Sequence, residues 1–369
     1  MSHPDEAADS LSVSVALCIG PGAVARFGRI MRHLAVGLVD QAIQTRFISS
    51  DPQVQALSLS PIQTMLHPTI RRPFARRQIR DLAEDLSTNP PTAVHAVSGE
   101  SYRVAWTLSE ALDAELVVQV TALADCDLAE RLDRKPVSRW IAWSDPLVHE
   151  LTGRVPVPAD GVELIRPGIL ASHHVACFAE DGRVPTILCT AGFGREGGVE
   201  VLLEALSVLQ VRGRTFQAFL LGEGPQESLL RRLVRRRGLS TLVTFAHPAG
   251  DLTQAMHHAD MLVCPAPDEE FAADGLTAMG AGMAVVALSC AVSDHFVDGK
   301  TALVCRRPTS EALADSLDQL ILDPVQARQL ATSAQEYVRS HHAASTMAER
   351  TAAVYRSLAL SRATFPLRR

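Results

Sequence analysis

At 369 residues, 47% hydrophobic and 21% charged, the chain has the size and composition of a globular protein of two domains. Its formal net charge of −6 argues against general nucleic-acid binding. Lysine occurs only at Lys135 and Lys300, so the other 33 of the 35 basic residues are arginines. Neither lysine ends a G-x-x-x-x-G-K pattern, which excludes a Walker-type phosphate loop and leaves anion recognition to arginine, backbone amides or helix N-termini.

Short apolar runs alternate with longer amphipathic stretches along the chain, the pattern of βαβ units. Residues 13–19 predict a strand that Gly20-Pro-Gly22 breaks, followed by a helix with Phe27, Ile30, Met31, Leu34 and Leu38 on one face. Strands follow at 46–48, 93–97, 116–121, 140–143 and 162–165, with helices at 101–114 and 145–151. The stretch 51–90 holds few clear strand signals. After a polar linker at 171–183 the alternation restarts, with strands at 185–190, 216–221, 242–245, 261–264, 285–288 and 302–305. Helices at 199–209, 226–237 and 252–258 fill the gaps. From Ser310 the pattern is continuously helical, and Thr346-x-x-Glu349 reads as a capping box opening a last helix near 347–360.

This predicts an α/β protein of two doubly wound Rossmann-like domains facing a cleft: residues 1–170, residues 171–345, and a terminal helix at 346–369 crossing back to the first. In such folds ligands meet the loops just after strands. The seven cysteines are scattered, with no C-x-x-C pair, so neither a zinc site nor a disulfide framework is expected. The acidic N-terminus is unlike a signal peptide, and no apolar run reaches the ~18–20 residues of a membrane span. Both point to a reduced, cytoplasmic protein.

The second half carries an ordered series of motifs: Ala191-Gly-Phe-Gly-Arg-Glu-Gly-Gly198, Leu221-Gly-Glu-Gly-Pro225, Asp268-Glu-Glu-Phe271, Ala278-Met-Gly-Ala-Gly282 and Ser293-Asp-His-Phe-Val-Asp-Gly299. In order and spacing the series resembles the retaining nucleotide-sugar glycosyltransferases of family 4, which have the GT-B fold. The likeness is dense over 185–340 and thinner over 13–170, where it rests on the 20–22 glycine turn, Val94-His95-Ala96 and Ile165-Arg-Pro-Gly168. The resemblance implies sugar transfer from a nucleotide diphosphate sugar to an acceptor with retention, without a metal or cofactor. It assigns Gly194, Arg195, Gly197 and Gly198 to the donor phosphates, with Gly222 and Gly224 beside them. It assigns Glu269 and the 271–273 amides (Phe271, Ala272, Ala273) to the donor sugar, Thr277 to the ribose, and Gly20, Gly22 and His95 to the acceptor side. Glu269 and His95 are the expected catalytic residues.

The family's Glu-x7-Glu pair is broken, because Ala278-Met279 fixes a register that puts Thr277 at the second glutamate. The lysine expected before Gly198 is Gly197, and a glycine after the phenylalanine is Ala272. A catalytically degenerate protein that binds a ligand or partner is therefore the second expectation. Asp125-Cys-Asp127 spells D-x-D but precedes an apolar helix and reads as capping. Arg71, Arg72, Arg76, Arg77 and Arg80 form a basic cluster, read either as solvated surface or as a peripheral contact with anionic headgroups at the inner membrane face.

Overall fold

The computed structural model describes residues 12–67, 75–132, 136–158, 161–180, 182–247, 252–266, 269–289 and 291–364. The chain divides into two compact units, one of Met1–Gly168 with His342–Arg369 and one of Ile169–His341.

Among the described residues of the first unit seven strands form one sheet: β1 (Ser14–Cys18), β2 (Gln44–Ser49), β3 (Gln63–Leu66), β4 (Ala93–Ala96), β5 (Glu115–Val120), β6 (Arg139–Ala142) and β7 (Val162–Leu164). Their order is β3-β2-β1-β4-β5-β6-β7, and every pairing is parallel. The central strands are continuous apolar runs because helices cover both faces of a parallel sheet. Those helices are α1 (Ala23–Asp40), α2 (Ala75–Leu86), α3 (Tyr102–Leu112), α4 (Leu123–Glu130) and α5 (Asp145–Arg154). The predicted face of α1, from Phe27 to Leu38, is buried as expected. β3 is the strand the sequence hid. It lies at the sheet edge with no residue fully buried, so its Gln-Thr-Met-Leu needs no apolar alternation.

The second unit repeats the design with β8 (Thr186–Cys189), β9 (Gln217–Leu221), β10 (Val243–Ala246), β11 (Met261–Cys264), β12 (Ala284–Ala287) and β13 (Leu303–Val304). The order is β10-β9-β8-β11-β12-β13, again wholly parallel. Its helices are α6 (Val199–Val211), α7 (Glu227–Arg236), α8 (Thr253–His257), α9 (Ala273–Ala281), α10 (Ser310–Leu322) and α11 (Pro324–His341). One apolar core joins Ile187, Leu203, Phe216, Met261, Val286 and Leu317. A final helix, α12 (Ala344–Thr364), belongs to the first unit, where it packs along α1 and buries Met347, Val354, Tyr355 and Leu358.

In both sheets the strand order reverses beside the first strand, between β1 and β4 and between β8 and β11. Such switch points open a crevice at the carboxyl ends of the strands. Among the described residues no helix is long and apolar enough to cross a membrane.

Candidate functional site

The switch point of the second unit is filled by three strand-end loops. The β8 loop runs from Ala191 to Gly198, where α6 begins with Gly198 as its N-cap at φ +66°. A Cβ on Gly198 would stand 2.0 Å from Pro265 O, which follows β11. One on Gly197 would stand 1.9 Å from Gly192 O. The loop thus folds on itself and against the neighbouring strand end. The β9 turn locks onto it, with Phe193 N donating to Glu223 O and Gln226 N to Phe193 O, both at 3.0 Å. Gly222 and Gly224 lie under Ala191 O and Phe193 O at distances no side chain would tolerate. Buried Phe193 meets Phe245 edge-on at 5.6 Å, and the Arg231 guanidinium lies 4.6 Å over the Phe245 ring.

In this loop conformation position 197 has no room for a side chain. Arg195 is exposed at the start of a short 3-10 turn over Arg195–Gly197. It is the cation that the β8 loop itself supplies.

Glu269 is exposed and Phe271 buried before α9. Two of the three amides expected to meet the donor sugar are already engaged. Ala272 N donates to Ser293 Oγ and Ala273 N to Phe271 O, both at 2.9 Å. Thr277 is 8% exposed, and its hydroxyl donates to Ala273 O at 2.9 Å. That is the back-bond to the preceding turn that threonine forms inside helices. Buried His295 stacks between Phe271 and Phe296, with ring centroids at 4.7 and 4.2 Å. Its carbonyl accepts from Thr301 Oγ1 at 2.5 Å.

In the first unit Gly20 and Gly22 form the turn after β1. Gly22, at φ +79°, is the N-cap of α1, and its N–H donates to Asp51 Oδ2 at 3.3 Å. His95 departs from the expectation of a strand-end side chain open to ligand. It is 0% exposed, and the Tyr355 hydroxyl of α12 lies 2.5 Å from its Nδ1. Burial pushes its pKa down to about 3, so the ring is neutral at physiological pH. Its side chain is directed into the packing between β4 and α12.

Asp125 is the buried cap that its sequence context suggested. Oδ2 accepts from Thr121 N, Thr121 Oγ1 and Ala122 N, and Oδ1 from Gly99 N, at 2.8–3.1 Å. Burial still raises its pKa, against the opposite pull of those bonds. Of the basic cluster, Arg77 and Arg80 stand exposed on α2. Arg71, Arg72 and the side chain of Arg76 lie outside the described residues.

Residues 184–323 match the family described as glycosyl transferases group 1. That segment, 140 of the 369 residues, is what the chain shares with the family. The chain is also 27% identical over 186 residues to an alpha-D-kanosaminyltransferase of Streptomyces kanamyceticus, an alignment that spans 48% of this chain and 46% of that protein. Among solved structures it is similar to a glycosyltransferase from Rickettsia africae, with a TM-score of 0.77 at 16% identity, covering 94% of this chain and 98% of that one. A sucrose-phosphate synthase from Thermosynechococcus elongatus gives 0.77 at 19% identity, with 95% and 100% covered. HepE of Anabaena, solved in complex with UDP, gives 0.75 at 15% identity, with 94% and 100% covered. Two Rossmann-like units of the GT-B type are thus the fold.

Within the matched segment, the residues that sequence reasoning missed are Ser293 and His295, which brace the Phe271–Ala273 turn from the loop after β12. The motif 293–299 marked their place but not their task. In the first unit it missed Tyr355 and Glu100, which meet their partners across long sequence separations.

Proposed function

We propose that the chain transfers a sugar, of hexosyl type, from a nucleotide diphosphate sugar to a hydroxyl acceptor with retention of configuration. The observation that carries this reading is the interlocked set of loops after β8, β9 and β11, at the switch point of the segment that matches the group 1 family. HepE, solved with UDP, supports a nucleotide donor.

In this reading the Gly194–Gly198 backbone, the N-terminus of α6 and Arg195 hold the diphosphate, with Gly222 and Gly224 leaving space beside it. Glu269 and the Phe271–Ala273 turn meet the sugar, and Thr277 lies near the ribose. Gly20 and Gly22 serve the acceptor side, with His95 as a positioning residue behind them. The C1–phosphate bond breaks and the nucleoside diphosphate leaves with the electron pair. The acceptor oxygen bonds to C1 from the same face and passes its proton to the departing phosphate oxygen. Stabilising that departing charge is electrostatic work, which arginine and aligned amides supply without metal or cofactor. The reaction is placed in the cytoplasm, with the Arg71–Arg80 cluster as a peripheral contact to anionic lipid.

A second reading, a binding protein that transfers nothing, is favoured by the engaged Ala272 and Ala273 amides and the back-bonded Thr277 hydroxyl. Calorimetry with UDP, GDP, ADP, dTDP and CMP and their sugars separates the two. Binding of at least one, followed by transfer or slow hydrolysis of its sugar, supports the first reading. Failure to bind any at millimolar concentration removes it.

A further inference from the structure

The switch point of the first unit holds a crevice of about 130 Å³ at the carboxyl ends of β1, β2 and β4. Cys18, Gly20, Ser50, His67, Glu100 and Ser101 are among its walls. It is built on the same plan as the β8–β11 site. A Cβ on Gly20 would stand 2.4 Å from the Glu100 Cβ and 2.6 Å from its carboxylate, so the β1 turn closes directly on the loop after β4. That contact brings Glu100 to the crevice.

Charge gathers at this corner. Arg26 Nη2 is 3.2 Å from Glu100 Oε1, an exposed pair, and Asp51 accepts from Gly22 N in the same turn. Among the described residues the corner holds two carboxylates and one guanidinium, a negative balance. Beside Glu100, Ser98 is 2% exposed, and its Oγ has no partner among the described residues. That hydroxyl would be 3.3 Å from a Cβ on Gly20, next to the crevice wall. A buried polar atom left unbonded costs free energy and points to an absent oxygen or nitrogen partner.

We propose that this crevice takes the amine-bearing, polyhydroxylated end of the acceptor, with Glu100 holding its ammonium group. The word acceptor rests on the transfer reading above; the crevice and its charge do not. Ile19, Ile48 and Val104 line it with apolar surface, which suits the flat face of a sugar-like ring. Ser50, Ser101 and His67 supply polar atoms for hydroxyls. The volume equals about four waters, room for the amine and its neighbouring ring atoms but not for a whole sugar or an acyl chain. The negative corner disfavours phosphorylated or carboxylated acceptors.

The test uses the full chain and three probes, glucosamine, glucose and glucose 6-phosphate, titrated at pH 6.5 by ligand-observed NMR. A charge-assisted hydrogen bond predicts glucosamine binding about tenfold tighter than glucose, with glucose 6-phosphate weakest. Glu100→Gln brings glucosamine to the level of glucose. Arg26→Gln, which releases Glu100, widens the gap and checks the proposal should the first variant fold poorly. Equal binding of glucosamine and glucose, or a preference that survives Glu100→Gln, overturns the inference. UDP titrated into the same samples reads the donor side separately. UDP binding without an amine preference sinks the crevice proposal and leaves the transfer reading. An amine preference without binding of any nucleotide of the calorimetric panel sustains the crevice and removes transfer.

Discussion

A side chain on Gly197 would strike Gly192 O, so Gly197→Lys should not restore the phosphate contact of the family pattern. We expect it to lower the melting temperature and to leave nucleotide affinity unimproved, measured by differential scanning fluorimetry and calorimetry; a tighter-binding, stable variant would show the loop to be more yielding. Arg195→Ala and Glu269→Ala should each weaken nucleotide-sugar binding about tenfold, the loss of one hydrogen bond to a charged group. Unchanged affinity in both would move the donor site elsewhere. At this scale the sequence is an uneven guide. The close-packed turns at Gly197, Gly198, Gly222 and Gly224 were legible as glycine-rich loops after strands. What Thr277, Ala272 and Ala273 bond to was not, since those partners depend on how α9 is capped and braced by Ser293. The burial of His95 was not legible, because position at a strand end does not say which face of the sheet its side chain takes, and here that face is covered by α12.

The pairing of β4 with α12 through His95 and Tyr355 has a pH signature. The ordinary histidine pKa is near 6.5 and burial lowers that of folded His95 to about 3, so the unfolded chain binds the extra proton between those values. His95 therefore contributes stability that is complete above about pH 6.5 and is lost as pH falls toward 3, at a slope approaching ~1.4 kcal/mol per pH unit. Melting curves of the wild type and His95→Gln between pH 4 and 7 check this. The variant should lose part of the acid sensitivity, and identical slopes would refute the assignment. Tyr355→Phe removes a single buried hydrogen bond and should cost about 1 kcal/mol. Strands with an apolar signature were read from the sequence to within a residue or two, as with β11, seen at Met261–Cys264 and predicted at 261–264. The edge strand β3 escaped because its exposed residues are under no demand to be apolar. The start of α12 came three residues before the predicted one, at Ala344, because helix ends depend on local capping that a motif search locates only approximately.

For the molecule as a whole, the most consequential feature is that the chain's last helix belongs to the unit its first residues build. α12 packs along α1 and buries Met347, Val354, Tyr355 and Leu358 in the first unit. At about 1.5–3 kcal/mol for each large side chain taken out of water, those four contribute about 6–12 kcal/mol as an upper bound, comparable to the entire stability of a domain. Deleting 342–369 should therefore unfold the first unit, although the deleted residues lie more than 170 positions from most of its sheet. The second unit, whose core joins residues between Cys177 and Ala331, contributes all six of its own strands and should survive. Hydrogen exchange on the truncated chain would read this directly: protection lost from β1, β4 and β5, and retained in β8, β9, β11 and β12. The two proposed binding sites should separate in the same way. Nucleotide binding, assigned to the β8–β11 switch point, should persist in the truncated chain, while glucosamine binding, assigned to the β1–β4 crevice, should vanish. Loss of both together would mean that the donor loops need more than the second unit to hold their shape.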